Sequence, residues 1–256
     1  MSLKDALREK TKEIGFELMG VTGAQQLEAV DYPPDRGLMR PSEIMNDAKT
    51  IIVMGMVIWD EAMNTTILAH SGENGYFNFY REITEMLAWR VADWLKKTEN
   101  VKTIPSHNLH LKVAAQLAGL GFIGRSALVI TPQFGPRVRW VALLSTAELE
   151  PDQPFTRDLC AEQPLCNKIP LCIKACPCGA IKLRPSSGAP PGTTVIPERC
   201  CITHTADEIP NPKWEKHINR VSKLGFIECT KCNLICPYGK YVDEVIIPGK
   251  LEYPSS

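Results

Sequence analysis

The residues of this chain best suited to chemistry are its cysteines. All ten fall between Cys160 and Cys236, and two runs end in the same tail: Cys172-x3-Cys176-Pro177 and Cys232-x3-Cys236-Pro237. That tail closes the bacterial iron–sulfur run C-x2-C-x2-C-x3-C-P, whose fourth cysteine ligates the other cluster in two-cluster proteins. The reason is chain reach. Three thiolates in a tight loop wrap one [4Fe–4S] cubane, and the chain then carries the fourth toward its neighbour. Here one unit is Cys229-x2-Cys232-x3-Cys236, with an upstream partner at Cys200 or Cys201. The other is wider, Cys160-x5-Cys166-x5-Cys172-x3-Cys176, and needs larger loops. The proposed assignment gives one cluster Cys160, Cys166, Cys172 and Cys236, and the other Cys176, Cys229 and Cys232 with that upstream partner. Cys178 is expected to pack as a small hydrophobe. Zinc is the alternative, since Cys229-x2-Cys232 alone is half a zinc ribbon. A zinc site, however, needs neither two Cys-x3-Cys-Pro tails nor eight thiolates.

These loops need a scaffold, and the rest of the chain is of ordinary globular composition. Of 256 residues 44% are hydrophobic and 23% charged, with a formal net charge of zero, so no global charge draws the chain to nucleic acid or membrane. The N-terminus has no apolar core of a signal peptide and no twin-arginine pair, and no apolar run nears the roughly 18 residues of a membrane span. The expectation is a cytoplasmic protein with no membrane partner, in which clustered cysteines are metal ligands rather than disulfides. Ser2 can cap a first helix; 51–58 reads as a buried strand; 79–96 and 108–118 have helical periodicity. Strands are expected at 127–131 and 138–145, joined as a hairpin through the turn Pro132-Gln-Phe-Gly-Pro136. After Glu150 periodic segments stop, and 185–192 reads as a loop insertion.

Gly119-Leu-Gly121-Phe-Ile-Gly124 matches G-x-G-x-x-G, but the dinucleotide reading fails. That fingerprint needs a strand before it, a helix after it and an acid about 20 residues on. Here a helical pattern precedes, a strand pattern follows, and the next acid is Glu148. The glycines instead allow a tight turn and a close approach to the backbone.

The stretch from His110 to Pro132, HLKVAAQLAGLGFIGRSALVITP, resembles the central signature of the epoxyqueuosine reductase and reductive dehalogenase group, close to AGLGWIGK-x2-LLI-x-P. Cys172-Ile-Lys-Ala-Cys-Pro-Cys-Gly-Ala-Ile181 is similar to the group's C-x3-CP-x-GAI, and the likeness runs from about residue 40 to 240. It implies an α+β protein: a nitroreductase-like α/β sandwich domain over 1–153 that binds cobalamin without its lower base, then a ferredoxin-like domain over 154–256 with two [4Fe–4S] clusters. It also implies an oxidoreductase that passes electrons through the clusters to the corrinoid and on to a substrate, fed by a reduced ferredoxin or flavodoxin-type donor. The preference for Cys201 over Cys200 comes from its likeness to the Cys-Ile-Ser of related sequences.

Carried over residue by residue, the resemblance puts Gly119, Gly121, Phe122, Ile123 and Gly124 along the corrin. Arg137 and Arg139, read as sharing one face of a strand, would hold its phosphate or propionamides. Roughly fourteen residues before the first glycine the epoxyqueuosine reductases carry a proton-donating aspartate; the same count here lands on Pro105. The candidate donors are therefore His107 and His110, which flank that position, and Tyr76 and Tyr80, as the dehalogenases suggest. Surface or helix-start histidines, a packed aromatic cluster and, for the two arginines, a solvated strand face are the bland alternatives. Lys213, Lys216, Arg220, Lys223 and Lys231 offer either a docking face for an acidic donor or an exposed helix. The tRNA-binding helical repeats of many relatives are not in the sequence, so tRNA is not expected as a partner; a small molecule or a corrinoid protein is. Two readings besides the reductase stay open: a non-catalytic electron carrier, and a protein that reduces a corrinoid for a partner enzyme.

Overall fold

The computed structural model describes residues 2–32, 37–58, 67–70, 76–166, 169–182, 195–196, 199–200, 212–223, 225–239, 241–242 and 245–246; for 67–70, 76–78, 212, 241–242 and 245–246 it describes the backbone alone. The predicted loop at 185–192 and Cys201 lie outside the described residues. Helices and sheets are mixed, and the chain forms two compact units, each assembled from separated segments. Among the described residues no helix is long and apolar enough to cross a membrane.

The first unit comprises Met1–Val57, Tyr80–Gly121 and Val138–Thr156. Its antiparallel sheet runs in the order Leu18–Gly23, Thr50–Val57, Val138–Ser145, Thr103–Ser106. The two central strands are apolar almost throughout because both faces are covered. Ile52, Met54, Val141 and Leu143 meet Ala88, Val91 and Leu95 of the long helix Phe79–Glu99, along with Leu7 and Phe16. Helix Leu111–Leu117 packs on the sheet as well, and a Cβ at Gly20 would lie 2.4 Å from the Ala118 carbonyl oxygen. Helix Leu3–Ile14 starts as its sequence predicts. The Ser2 hydroxyl accepts the Asp5 N–H and the Asp5 carboxylate accepts the Ser2 N–H, each at 3.2 Å.

Strand Thr103–Ser106 has no helical or alternating signature and was not expected. It is an edge strand, which is where a sheet tolerates a proline such as Pro105. The predicted hairpin is also not formed. Val129–Ile130 pairs with Phe122–Ile123, whereas Val138–Ser145 lies between Thr50–Val57 and Thr103–Ser106. An eight-residue strand buried on both faces needs a partner of similar length, and Thr50–Val57 supplies it.

The second unit comprises Ile58–Phe79, Phe122–Arg137 and Arg157–Ser256. Its sheet runs Tyr76–Asn78, Ile67–His70, Gly225–Ile227, Asn219–Arg220, all antiparallel. The described helices here are short. Leu171–Ala175 and Lys231–Leu234, each carrying the first cysteine of a Cys-x3-Cys-Pro tail, pack against each other. The turn after Thr131 closes through reciprocal backbone hydrogen bonds of 3.0 and 2.9 Å between Thr131 and Gly135.

Candidate functional site

The nine described cysteines are all reduced thiols of the second unit. Cys160 sits in helix Leu159–Glu162, whose first turn is capped by the Asp158 carboxylate accepting the Ala161 N–H at 2.9 Å. Cys166 ends the 3-10 turn Pro164–Cys166, Cys172 lies in Leu171–Ala175, and Cys176 caps that helix. Cys232 lies in Lys231–Leu234.

Electrostatics groups these thiols. Burial pushes Cys172 up to about 12, and the neighbouring Cys160 and Cys166 push it further in the same direction. Cys236 also rises to about 12 through burial, against the lowering pull of the Tyr238 N–H and Arg137, with Cys160 and Cys166 again adding to the rise. Cys232 is raised by burial and then by Cys229, Cys200, Cys172 and Cys176. So Cys160 and Cys166 act on both Cys172 and Cys236, and Cys232 draws in Cys229, Cys200, Cys172 and Cys176. Buried thiols this close become thiolates only where cations compensate, which is what cluster iron does. Among the described residues, no three His, Cys, Asp or Glu side chains converge tightly enough to hold a single metal ion. A cubane differs from a mononuclear site in spreading its thiolates over four irons.

Backbone N–H groups already point at the sulfurs. Ala180 donates to Cys176 Sγ at 3.3 Å, and Arg125, Ile173 and Tyr238 donate to Cys160, Cys172 and Cys236. Such bonds stabilise charged sulfur and are among the features that tune iron–sulfur clusters. Cys178 is buried, in keeping with a packing role.

The glycine run divides between the units, and its glycines have separate jobs. Gly119 ends helix Leu111–Leu117 with φ +74°. Its N–H reaches Gln116 O at 3.1 Å and the Leu120 N–H reaches Ala115 O at 2.9 Å, the paired bonds of a Schellman cap. A Cβ there would lie 2.6 Å from the Gln153 carbonyl oxygen. Gly124 makes room within the second unit, where a Cβ would lie 2.6 Å from Ile130 and 3.1 Å from Cys160 Sγ. Gly121 and Phe122 are buried and Ile123 is half-buried.

Arg137 departs from its expected place. The strand begins at Val138, so Arg137 is outside it and shares no strand face with Arg139. Its guanidinium is fully buried and donates to Tyr238 O at 2.7 Å and Leu234 O at 3.1 Å. Arg139 is in the strand, half-buried, with its guanidinium 5.9 Å from the centre of the Tyr80 ring. Two candidates from distant parts of the sequence thus meet in the first unit. Of the residues expected along a corrin, Gly119, Gly124 and Arg137 are committed to protein contacts; of the others, Ile123 and Arg139 are half-buried.

The other candidate donors are placed as follows. Nε2 of His107 is 3.0 Å from the Thr84 hydroxyl, which gives its own proton to the Tyr80 or Arg81 carbonyl. Thr84 therefore accepts from a His107 Nε2–H. Burial, with help from Arg81, lowers His107 to about 4. Nδ1 stands 3.3 Å from Glu85 Oε2 but without hydrogen-bond geometry, so burial outweighs that pairing. At pH 7 His107 is neutral and its proton is held by Thr84. His110 precedes helix Leu111–Leu117 and meets the Tyr32 ring edge-on at 6.0 Å. Tyr76 lies in strand Tyr76–Asn78, opposite His70; its side chain lies outside the described residues. In the basic stretch Arg220 is paired with Glu215, and the segment is a 3-10 turn followed by a strand rather than one exposed helix. Arg125 was not singled out in the sequence, although the matching position of the family signature is also basic.

No model of a known protein family matches the chain. Among curated proteins, epoxyqueuosine reductase of Bacillus subtilis is 24% identical over 269 residues, covering 94% of this chain and 64% of that enzyme. Tetrachloroethene reductive dehalogenase of Dehalobacter restrictus is 31% identical over 168 residues, 63% of this chain and 28% of that enzyme. The chain spans about two thirds of the length of the epoxyqueuosine reductases it matches. The solved Bacillus subtilis reductase superposes with a TM-score of 0.65 at 20% identity, over 93% of this chain and 65% of that one. A catabolic reductive dehalogenase in complex with 3-bromo-4-hydroxybenzoic acid gives 0.62 at 17% identity, over 93% of this chain and 32% of that one. The sequence likeness along nearly the whole chain and the shared fold agree with the signature at 110–132 and support an epoxyqueuosine reductase and reductive dehalogenase-like family.

Proposed function

We propose that this protein is a cytoplasmic oxidoreductase with two [4Fe–4S] clusters that relays single electrons from a ferredoxin or flavodoxin-type donor to a corrinoid and on to a substrate. The observation that supports the reading is that Cys160 and Cys166 act on both Cys172 and Cys236, while Cys232 is acted on by Cys229, Cys200, Cys172 and Cys176, so thiols of the two sequence runs lie together. That mixing of the two runs fits the proposed cross-ligation, Cys160, Cys166 and Cys172 with Cys236, and Cys229 and Cys232 with Cys176, as a two-cluster ferredoxin uses. For the upstream ligand we keep Cys201, on its likeness to the Cys-Ile-Ser of related sequences, with the adjacent Cys200, which adds to the rise of Cys232, as the alternative. The nitroreductase-like sandwich and ferredoxin-like arrangement, with its boundary near residue 153, belong to this proposal. The corrinoid enters through the family, one of whose structures is described as that of a B12-dependent dehalogenase.

Bound clusters supply one-electron storage, and a bound corrinoid supplies a metal able to hand electrons to a substrate bond. The chain's own residues do the rest. Amide N–H groups hold negative charge at the sulfurs, Arg139 positions the Tyr80 ring, and the Tyr80 hydroxyl is the proposed proton donor. Pro105 and a neutral His107 favour the second reading, a carrier or corrinoid-reducing protein that performs no proton transfer of its own.

Anaerobic reconstitution tests this. The full chain should take up about eight irons, and Cys172→Ser or Cys229→Ser should each lower that toward one cluster's worth; unchanged iron in both would remove the ligand assignment. Cys201→Ser should lose more iron than Cys200→Ser; the reverse would make Cys200 the ligand. Added cobalamin should give a base-off spectrum that changes on reduction. Full cluster loading without cobalamin binding would leave only the carrier.

A further inference from the structure

Arg125 and Arg137 come from the same segment, Phe122–Arg137, which belongs to the cysteine-rich unit although it lies well before the first cysteine. Arg137 is completely buried, and its two terminal nitrogens bond the carbonyls of Leu234 and Tyr238, two residues either side of Cys236. Arg125 follows Gly124, where a Cβ would lie 3.1 Å from Cys160 Sγ; burial raises the Cys160 thiol, and the Arg125 N–H and guanidinium pull against that rise. The Asp158 carboxylate stands 3.6 Å from that guanidinium and offsets part of its charge, but Asp158 also accepts the Ala161 N–H. The Tyr238 hydroxyl donates to Leu159 O at 3.0 Å, tying the Cys236 loop to the Cys160 helix. The two arginines thus attend two cysteines of one group.

We infer that Arg125 and Arg137 selectively raise the reduction potential of the cluster held by Cys160, Cys166, Cys172 and Cys236; the inference rests on the two-cluster reading above. One-electron reduction adds a negative charge to a thiolate-ligated cluster, the electron coming from the external donor and no proton being required. A fixed cation and an N–H···S bond stabilise the reduced form more than the oxidised one, and net charge and hydrogen bonds to sulfur are what set such potentials. The consequence is directional: an electron shared between the clusters settles preferentially on this one.

The test is an EPR-monitored redox titration of the anaerobically reconstituted full chain, with dithionite as reductant. Cys160→Ser identifies the couple that belongs to this cluster. Arg125→Gln should move that couple to lower potential, leave the other couple and the iron content unchanged, and be reversed by Arg125→Lys. Arg137→Gln should move the same couple; if it also loses iron, Arg125→Gln decides. Unmoved couples in a fully loaded Arg125→Gln protein, or equal shifts of both, would overturn the inference while leaving the two-cluster reading intact. A wild-type chain that takes up no pair of clusters would instead overturn that reading, and this one with it.

Discussion

Burial fixes the charge of His107, and that has a measurable consequence for stability. The ordinary value of 6.5 falls to about 4 in the fold. Between these two values the unfolded chain binds a proton that the folded chain does not, so stability falls as pH drops through that window and is unaffected above it. The full shift corresponds to about 3 kcal/mol, an upper value because Glu85 stands nearby. His107→Gln keeps an amide donor for Thr84 but does not titrate. Its urea midpoint should therefore decline less than wild type between pH 7 and 5, and parallel curves would show that His107 is not the group responsible. Nothing local in Ser106-His107-Asn108 announces this. It depends on helix Phe79–Glu99 bringing Thr84, Arg81 and Glu85 onto the ring.

At the level of elements, the turn Pro132–Pro136 was legible from its prolines and glycine, but not its purpose. It does not join a hairpin; it is a clamp on the loop that carries Cys236. Gly135 has φ +56° and a Cβ on it would lie 2.0 Å from Tyr238 O. Gly239 has φ +71° and a Cβ on it would lie 1.9 Å from Phe134 C. Two backbones meet where neither can carry a side chain, and Asn233 Nδ2 adds a bond to Pro136 O at 3.3 Å. Gly239→Ala should destabilise the protein by at least about 2 kcal/mol. It should also reduce iron retention, read by urea unfolding and iron assay of the reconstituted protein. Wild-type stability would mean that the clamp is not rigid. The helices show the same division between pattern and context. Leu3–Ile14 and Phe79–Glu99 follow from a cap and a 3.6-residue period, whereas edge strand Thr103–Ser106 owes its conformation to pairing with Val138–Ser145.

Over the whole molecule the two units differ in how they are held. The first has a sheet covered on both faces and a continuous apolar core. The second has short helices and strands of two to four residues among those described, so cluster binding should supply much of its stability. Stripping iron anaerobically with a chelator should raise amide exchange across 157–239 while 50–57 and 138–145 stay protected. Equal protection in the two units, measured by mass spectrometry, would count against this. What the sequence by itself determined was local: the cysteine spacings that make cluster loops, the capped first helix, the apolar run of the central strand, and the failure of the glycine run as a nucleotide fingerprint. Each depends on residues a few positions apart, where chain reach and periodicity dictate geometry. Only the tertiary structure decided that Phe122–Arg137 belongs with the cysteines, that Gly124 makes room for a thiol, and that Arg137 is buried beside Cys236. Those outcomes rest on contacts between segments up to about a hundred residues apart in the chain, which no local pattern encodes because their energy comes from burial and not from propensity.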